Sequence, residues 1–174
     1  MQIQNNGQFP VSVLMQFKES QNKIWSSGQW EVTGLVAGQA GEKLGGVTES
    51  TQVISRDIGN GQILWSGLAV QLHKDDAESY YHNLMCENPK AFIICQSDEV
   101  EGNQCQPFLV TLSYDEASSY LEVDELVLSV DMPAELYRWV EQFILEHYVP
   151  EKKRKRKRES WKELSGEGVA NEKS

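Results

Sequence analysis

Ile63-Leu64-Trp65-Ser66-Gly67-Leu68-Ala69-Val70-Gln71-Leu72 is the stretch that decides how this chain folds. Leu68, Val70 and Leu72 alternate with Ala69, Gln71 and His73, the period-two pattern of a strand with one buried face. Gly67 interrupts an otherwise continuous run. A glycine inside a strand marks a bulge or bend, which is how a sheet is made to curl. The stretch therefore predicts a curved sheet.

Strands recur on both sides of it. Over residues 9–17, Val11, Val13, Met15 and Phe17 share one face, with Ser12 and Gln16 opposite and Leu14 interrupting the polar side. A second strand begins at Trp30-Glu31-Val32-Thr33, and Gly34, Gly38, Gly41, Gly45 and Gly46 then predict a long loop. Thr51-Gln52-Val53-Ile54 reads as a third strand, and Gly59-Asn60-Gly61 as the turn into the run at Ile63. Downstream, Ala91–Gln96 follows Asn88-Pro89, because the residue before proline is pushed out of helix. Phe108, Val110 and Leu112 alternate on one face, and Leu126, Leu128 and Val130 form the last strand.

Helices are few and come late. Asp75-Asp76-Ala77-Glu78 and Ser113-Tyr114-Asp115-Glu116 each offer an N-cap with an acid three residues later, so each predicts a helix of about two turns. The clearest helix spans about Pro133 to Tyr148, with proline in its first turn and Pro150 stopping it. Leu136, Trp139, Val140, Phe143, Ile144, His147 and Tyr148 form one stripe along it. Such helices do not alternate with strands as a doubly wound fold requires. The expected class is α+β, mostly β: seven or so strands in a curled antiparallel sheet or small barrel, covered by a C-terminal amphipathic helix.

Charge divides the chain in two. Residues 1–150 hold 7 Lys/Arg against 21 Asp/Glu, a net of −14, whereas residues 151–174 hold 9 against 5, a net of +4. The expected organisation is one domain over 1–150 and a basic, disordered tail over 151–174. An acidic body repels nucleic acid and anionic lipid, so any such binding must come from the run Lys152-Lys153-Arg154-Lys155-Arg156-Lys157-Arg158. That run is a candidate for holding an acidic partner or nucleic acid, though only Trp161 stands near it to stack on bases. No apolar stretch reaches the roughly 18 residues of a membrane span, and Met1–Asn6 lacks the pattern of a secretory signal. The reading is a cytoplasmic protein. Cys86, Cys95 and Cys105, an odd number without a CxxC pair, read as reduced thiols.

Candidate chemistry is sparse. His73, His82 and His147 fall in no metal-binding spacing, and neither a GxSxG elbow nor a GxxxxGK[ST] phosphate loop occurs. Two of the acidic clusters, Asp75-Asp76-Glu78 and Asp115-Glu116, suit helix N-termini, and Asp98-Glu99-Glu101 suits a solvated loop. The expectation is no catalytic set, no metal and no cofactor. Trp65, Tyr80, Tyr81, Tyr114 and Tyr120 gather beside the short helices. They read first as core, and otherwise as an adhesive patch in which Trp65, Tyr80 and Tyr81 would bind a protein partner.

Short pieces in order carry a resemblance. They include Pro10-Val11-Ser12-Val13, Trp30-Glu31-Val32, Trp65-x-Gly67-Leu68, Leu72-His73-Lys74-Asp75 and Tyr80-Tyr81-x-Asn83-Leu84. Val110-Thr111-Leu112-Ser113-Tyr114-Asp115-Glu116-Ala117, Met132-Pro133 and Glu146-His147-Tyr148-x-Pro150 continue the series. Over about residues 9–158 the chain resembles the bacterial family catalogued as domain of unknown function 3305. The resemblance implies a gene neighbourhood shared with molybdenum-dependent formate dehydrogenases and their maturation factors, and no established active-site residue. From it follows an expected role as a non-catalytic accessory protein that binds a dehydrogenase component or maturation factor. Two alternatives stand beside it. One is a binder of, or enzyme acting on, the molybdenum cofactor or a precursor, with a pocket lined by several of Trp65, Tyr80, Tyr81, His73 and Arg56. The other is a nucleic-acid-binding module working through residues 152–158.

Overall fold

The computed structural model describes residues 7–19, 28–38, 54–98 and 104–150. Among these residues seven strands and three α-helices follow one another: β1 (Gln8–Lys18), β2 (Gln29–Ala37), β3 (Ile54–Gly59), β4 (Gln62–Gln71), α1 (Ala77–Leu84), β5 (Lys90–Asp98), β6 (Gln104–Thr111), α2 (Tyr114–Leu121), β7 (Leu126–Asp131) and α3 (Ala134–His147). The strands form one sheet in the order β2-β1-β4-β6-β5-β7, with β3 paired to β4, and the sheet curls into a nearly closed barrel. All pairings are antiparallel except one, where β4 meets β6 in parallel at Val70 and Val110. The mostly β, α+β class read from the sequence is the observed one.

Gly67 does what the sequence predicts. Val11 pairs with Leu68 and Val13 with Trp65, so β4 carries one residue more than β1 across this interval. Gly67 absorbs it at φ 88°, in the left-handed region open to glycine. The bulge also divides one edge of β4 between two partners: β3 pairs with Gln62–Ser66, and β6 takes over at Val70. Asn60 and Gly61 make the two-residue turn between β3 and β4, with φ 58° and 73°. Both values suit the turn whose twist matches a hairpin.

Several elements differ from the sequence reading. Gly34 does not open a loop: β2 runs on through Leu35-Val36-Ala37, pairing with Val13, Ser12 and Val11. Thr33 is the extra residue of a bulge there, and Gly34 follows it opposite Leu14. β3 lies C-terminal to the expected third strand, whose residues 51–53 fall outside the described ones. Phe108 does not share a buried face with Val110 and Leu112. Register slips between Ile94–Leu109 and Cys95–Pro107, so Phe108 is the bulged residue and stays 41% exposed.

Helix starts divide likewise. Ser113 caps α2, its Oγ accepting from Glu116 N at 3.1 Å. The Asp75-Asp76 box does not form: a 3-10 turn over Lys74–Asp76 precedes α1, and Asp76 makes no side-chain cap. Pro133 sits at the N-cap of α3, one position before the expected first turn. Leu136, Val140 and Ile144 are buried from α3, and Trp139 and Phe143 pack on Phe9 of β1 and Tyr80 of α1. Burying each such aliphatic side chain stabilises by about 1.5–3 kcal/mol. His147, expected in the core, lies near the surface with its ring on Phe143. No described helix is long and apolar enough to cross a membrane.

Candidate functional site

The structure separates the residues that the sequence grouped. Trp65 and Tyr80 are 8% and 1% exposed, so both belong to the core and neither offers a surface to a partner. Tyr81 is half-buried, its ring 5.0 Å from Tyr148. Lys152, Lys153, Arg154, Lys155, Arg156, Lys157 and Arg158 lie outside the described residues. His82 sits beside Glu78 on the exposed side of α1, at 3.5 Å. His73 is exposed at the end of β4, where its backbone N–H donates to Tyr80 Oη at 3.1 Å. Burial pushes the Tyr80 phenol up to about 12, against the lowering effect of that hydrogen bond, with Asp76 and Glu116 adding to the rise.

Buried polar side chains are taken up by architecture. Asn83 of α1 donates through Nδ2 to Lys90 O at 2.7 Å and Leu112 O at 2.8 Å. Its Oδ1 accepts from Lys90 N at 3.0 Å, so one amide ties α1 to the start of β5 and the end of β6. Ser113 Oγ donates to Ser79 Oγ at 3.0 Å, Ser113 N donates to Thr111 Oγ1 at 3.1 Å, and Thr111 Oγ1 donates to Glu116 Oε2 at 2.5 Å. Glu116 thus grips Thr111 instead of reaching back to its own cap. The sequence shows the cap but not this network, whose partners lie on three separate elements.

Cys95 and Cys105 face each other diagonally across β5 and β6, both buried. The hydrogen bond that the Cys95 thiol donates to Cys105, followed by burial, pushes that thiol well above its ordinary range, so it stays a neutral core group. Cys86 is the exposed thiol. Among the described residues no group of three or more His, Cys, Asp or Glu side chains stands together in a way that could hold a metal ion.

The sheet's own incompleteness makes a concavity. β2 and β7 end the strand order and approach each other without a ladder between them. A cleft of about 620 Å³ lies there, lined by residues 28–32 and 126–129. Trp30, Val32, Leu126 and Leu128 line it and pack against the core from the half-buried layer. Glu31 is tied to Lys18 at 2.7 Å. Following the pairings around the sheet, β2 and β7 run in the same direction, and their Cα atoms approach within 8 Å, so an added strand, which needs roughly 9.5 Å between its neighbours, would have to part the seam to lie antiparallel to both. None of Trp65, Tyr80, Tyr81, His73 or Arg56 belongs to this lining. Sequence reasoning had no signal for the cleft, because it arises from closure between strands about 100 residues apart in the chain.

Residues 10–157 match the family model described as a protein of unknown function, DUF3305. No curated protein and no solved structure matches the chain.

Proposed function

The chain belongs to the DUF3305 family of proteins of unknown function, and from that premise we propose that it is a non-catalytic accessory protein that grips a protein partner. The observation that carries this reading is the seam between β2 and β7. Two strand edges and a half-buried apolar row flank a cleft of about 620 Å³. An extended segment that parts these edges would gain backbone hydrogen bonds and finish burying Trp30, Val32, Leu126 and Leu128. The buried polar groups at Asn83, Ser79, Thr111 and Ser113 are meanwhile spent on holding elements together.

The partner we propose is a component or maturation factor of a molybdenum-dependent formate dehydrogenase, met in the cytoplasm during assembly. Support comes from the gene neighbourhood that the sequence resemblance implies. In this reading the basic run at residues 152–158 steers the chain to an acidic partner. Affinity capture from the native host tests it, with full-length and tail-deleted proteins compared. Recovery of a dehydrogenase component in mild salt, weakened by tail deletion, is expected. Capture that recovers no such component ends the proposal.

A second reading, a binder of the molybdenum cofactor or a precursor, draws on the cleft's volume, which falls in the range of small-molecule sites. The described lining carries Glu31 and no Lys or Arg, a poor match for an anionic ligand. A thermal midpoint unmoved by saturating cofactor precursor would remove it.

A further inference from the structure

Away from the seam, the outer side of β5 and β6 carries a surface that the fold leaves unfinished. α2 lies over it with Ala117 as its buried residue, and Ile94 of β5 is wholly buried although it stands outside the main core cluster. At one end of α2 the Tyr114 ring meets Phe92 at 5.9 Å, and at the other Tyr120 meets Phe108 at 5.8 Å. These rings are only partly spent. Tyr114 is 63% exposed, and Leu121 at the end of the helix and Val123 just beyond it are 55% and 66% exposed.

Carboxylates predominate around this apolar surface, and Lys90, two residues along β5 from Phe92, is already paired with Asp131. Residues 113–125 hold Asp115, Glu116, Glu122, Asp124 and Glu125, and between Lys90 and Arg138 the chain has no Lys or Arg. Only Glu116 among the five has a described hydrogen-bond partner for its side chain, Thr111. The carboxylates flank apolar groups that packing does not explain.

We propose that this face around α2 docks an arginine-rich amphipathic segment of a partner protein. Aliphatic side chains of that segment cover Leu121 and Val123. Its guanidinium groups pair with Asp115, Glu122 and Asp124 and stack on the open Tyr114 ring, uses in which arginine exceeds lysine. Charge complementarity selects the occupant: an acidic or neutral apolar segment would meet Asp115, Glu122, Asp124 and Glu125 with nothing to pair them.

The test uses the full-length chain and a short labelled peptide that places arginines and leucines on opposite faces of a helix, read by fluorescence anisotropy. Binding is expected, weakening with added salt, and about tenfold weaker to a Leu121→Ser, Val123→Ser double variant. Both positions are exposed, and circular dichroism would verify that the variant folds. A second variant, Asp115→Asn with Glu122→Gln, should show a weaker salt dependence while keeping residual binding, since Asp124 remains. A lysine–serine peptide of equal charge should bind at least tenfold more weakly than the arginine–leucine one, on the order of one buried anchor's contribution. Equal binding of the two peptides, an unaffected double variant, or no binding at all would overturn the proposal. So would peptide binding that appears only once residues 151–174 are removed, since the occupant would then be this chain's own basic segment.

Discussion

Asn83 is the residue whose loss should cost most for its size. Its amide serves two carbonyls and one N–H at the meeting of α1, β5 and β6, all at 2.7–3.0 Å. Asn83→Ala strands these backbone groups, at about 1–3 kcal/mol for each left unsatisfied. We expect a fall of about 3 kcal/mol or more in unfolding free energy, read as a lower urea midpoint; a loss under about 1 kcal/mol would show that water replaces the amide. Tyr80 supplies a second residue-scale expectation. Its folded value is raised to about 12 from 10.0, so the contribution is whole below pH 10 and is lost as pH rises toward 12. A shift of that size corresponds to about 2–3 kcal/mol. Tyr80→Phe should therefore be the less stable protein at neutral pH, because His73 N–H loses its acceptor, yet show a shallower alkaline decline. Parallel pH–stability curves for the two proteins would contradict this.

At the scale of elements, the two predicted capping boxes make a controlled comparison. Ser113 accepts from Glu116 N and donates to Ser79, whereas Asp76 makes no side-chain cap. Ser113→Ala should cost about 1–2 kcal/mol and Asp75→Ala, at the cap position of the other predicted box, less than about 0.5 kcal/mol, measured side by side by denaturant titration. Equal losses would mean that sequence pattern, not observed geometry, governs the helix starts. The same contrast shows how much was legible. Gly67 was readable as a bulge because it stands alone in an apolar run, and the stripe from Leu136 to Ile144 was readable because it repeats over three turns. Gly34 misled because glycine marks loops and bulges alike, and only the pairing with Leu14 decides between them. Phe108 misled because one slipped residue moves a side chain to the other face. Trp65 and Tyr80 were legible as aromatic anchors, but whether an anchor points to core or solvent depends on strands and helices far along the chain.

For the whole molecule, the decisive property is that the barrel stops one pairing short of closure. β1, β4, β5 and β6 each have ladders on both sides over at least part of their length, while β2 and β7 have one. A strand held on one side opens locally at lower free energy, and its outward amides meet water. Amide hydrogen exchange should therefore be faster in Leu126–Asp131 and in Glu31–Ala37 than in Val11–Met15 or Ala91–Cys95. If a partner strand parts the seam and enters it, protection should rise in both edges together, since β2 and β7 run in one direction and a single antiparallel segment then serves both. A partner that docks on α2 instead would protect residues around Tyr114 and Leu121 and leave both edges exchanging as before. Exchange measured with and without captured partner thus separates the two surfaces. Uniform slow exchange across β2 and β7 in the free protein would mean the seam is already sealed, and the strand-acceptor role would fall with it.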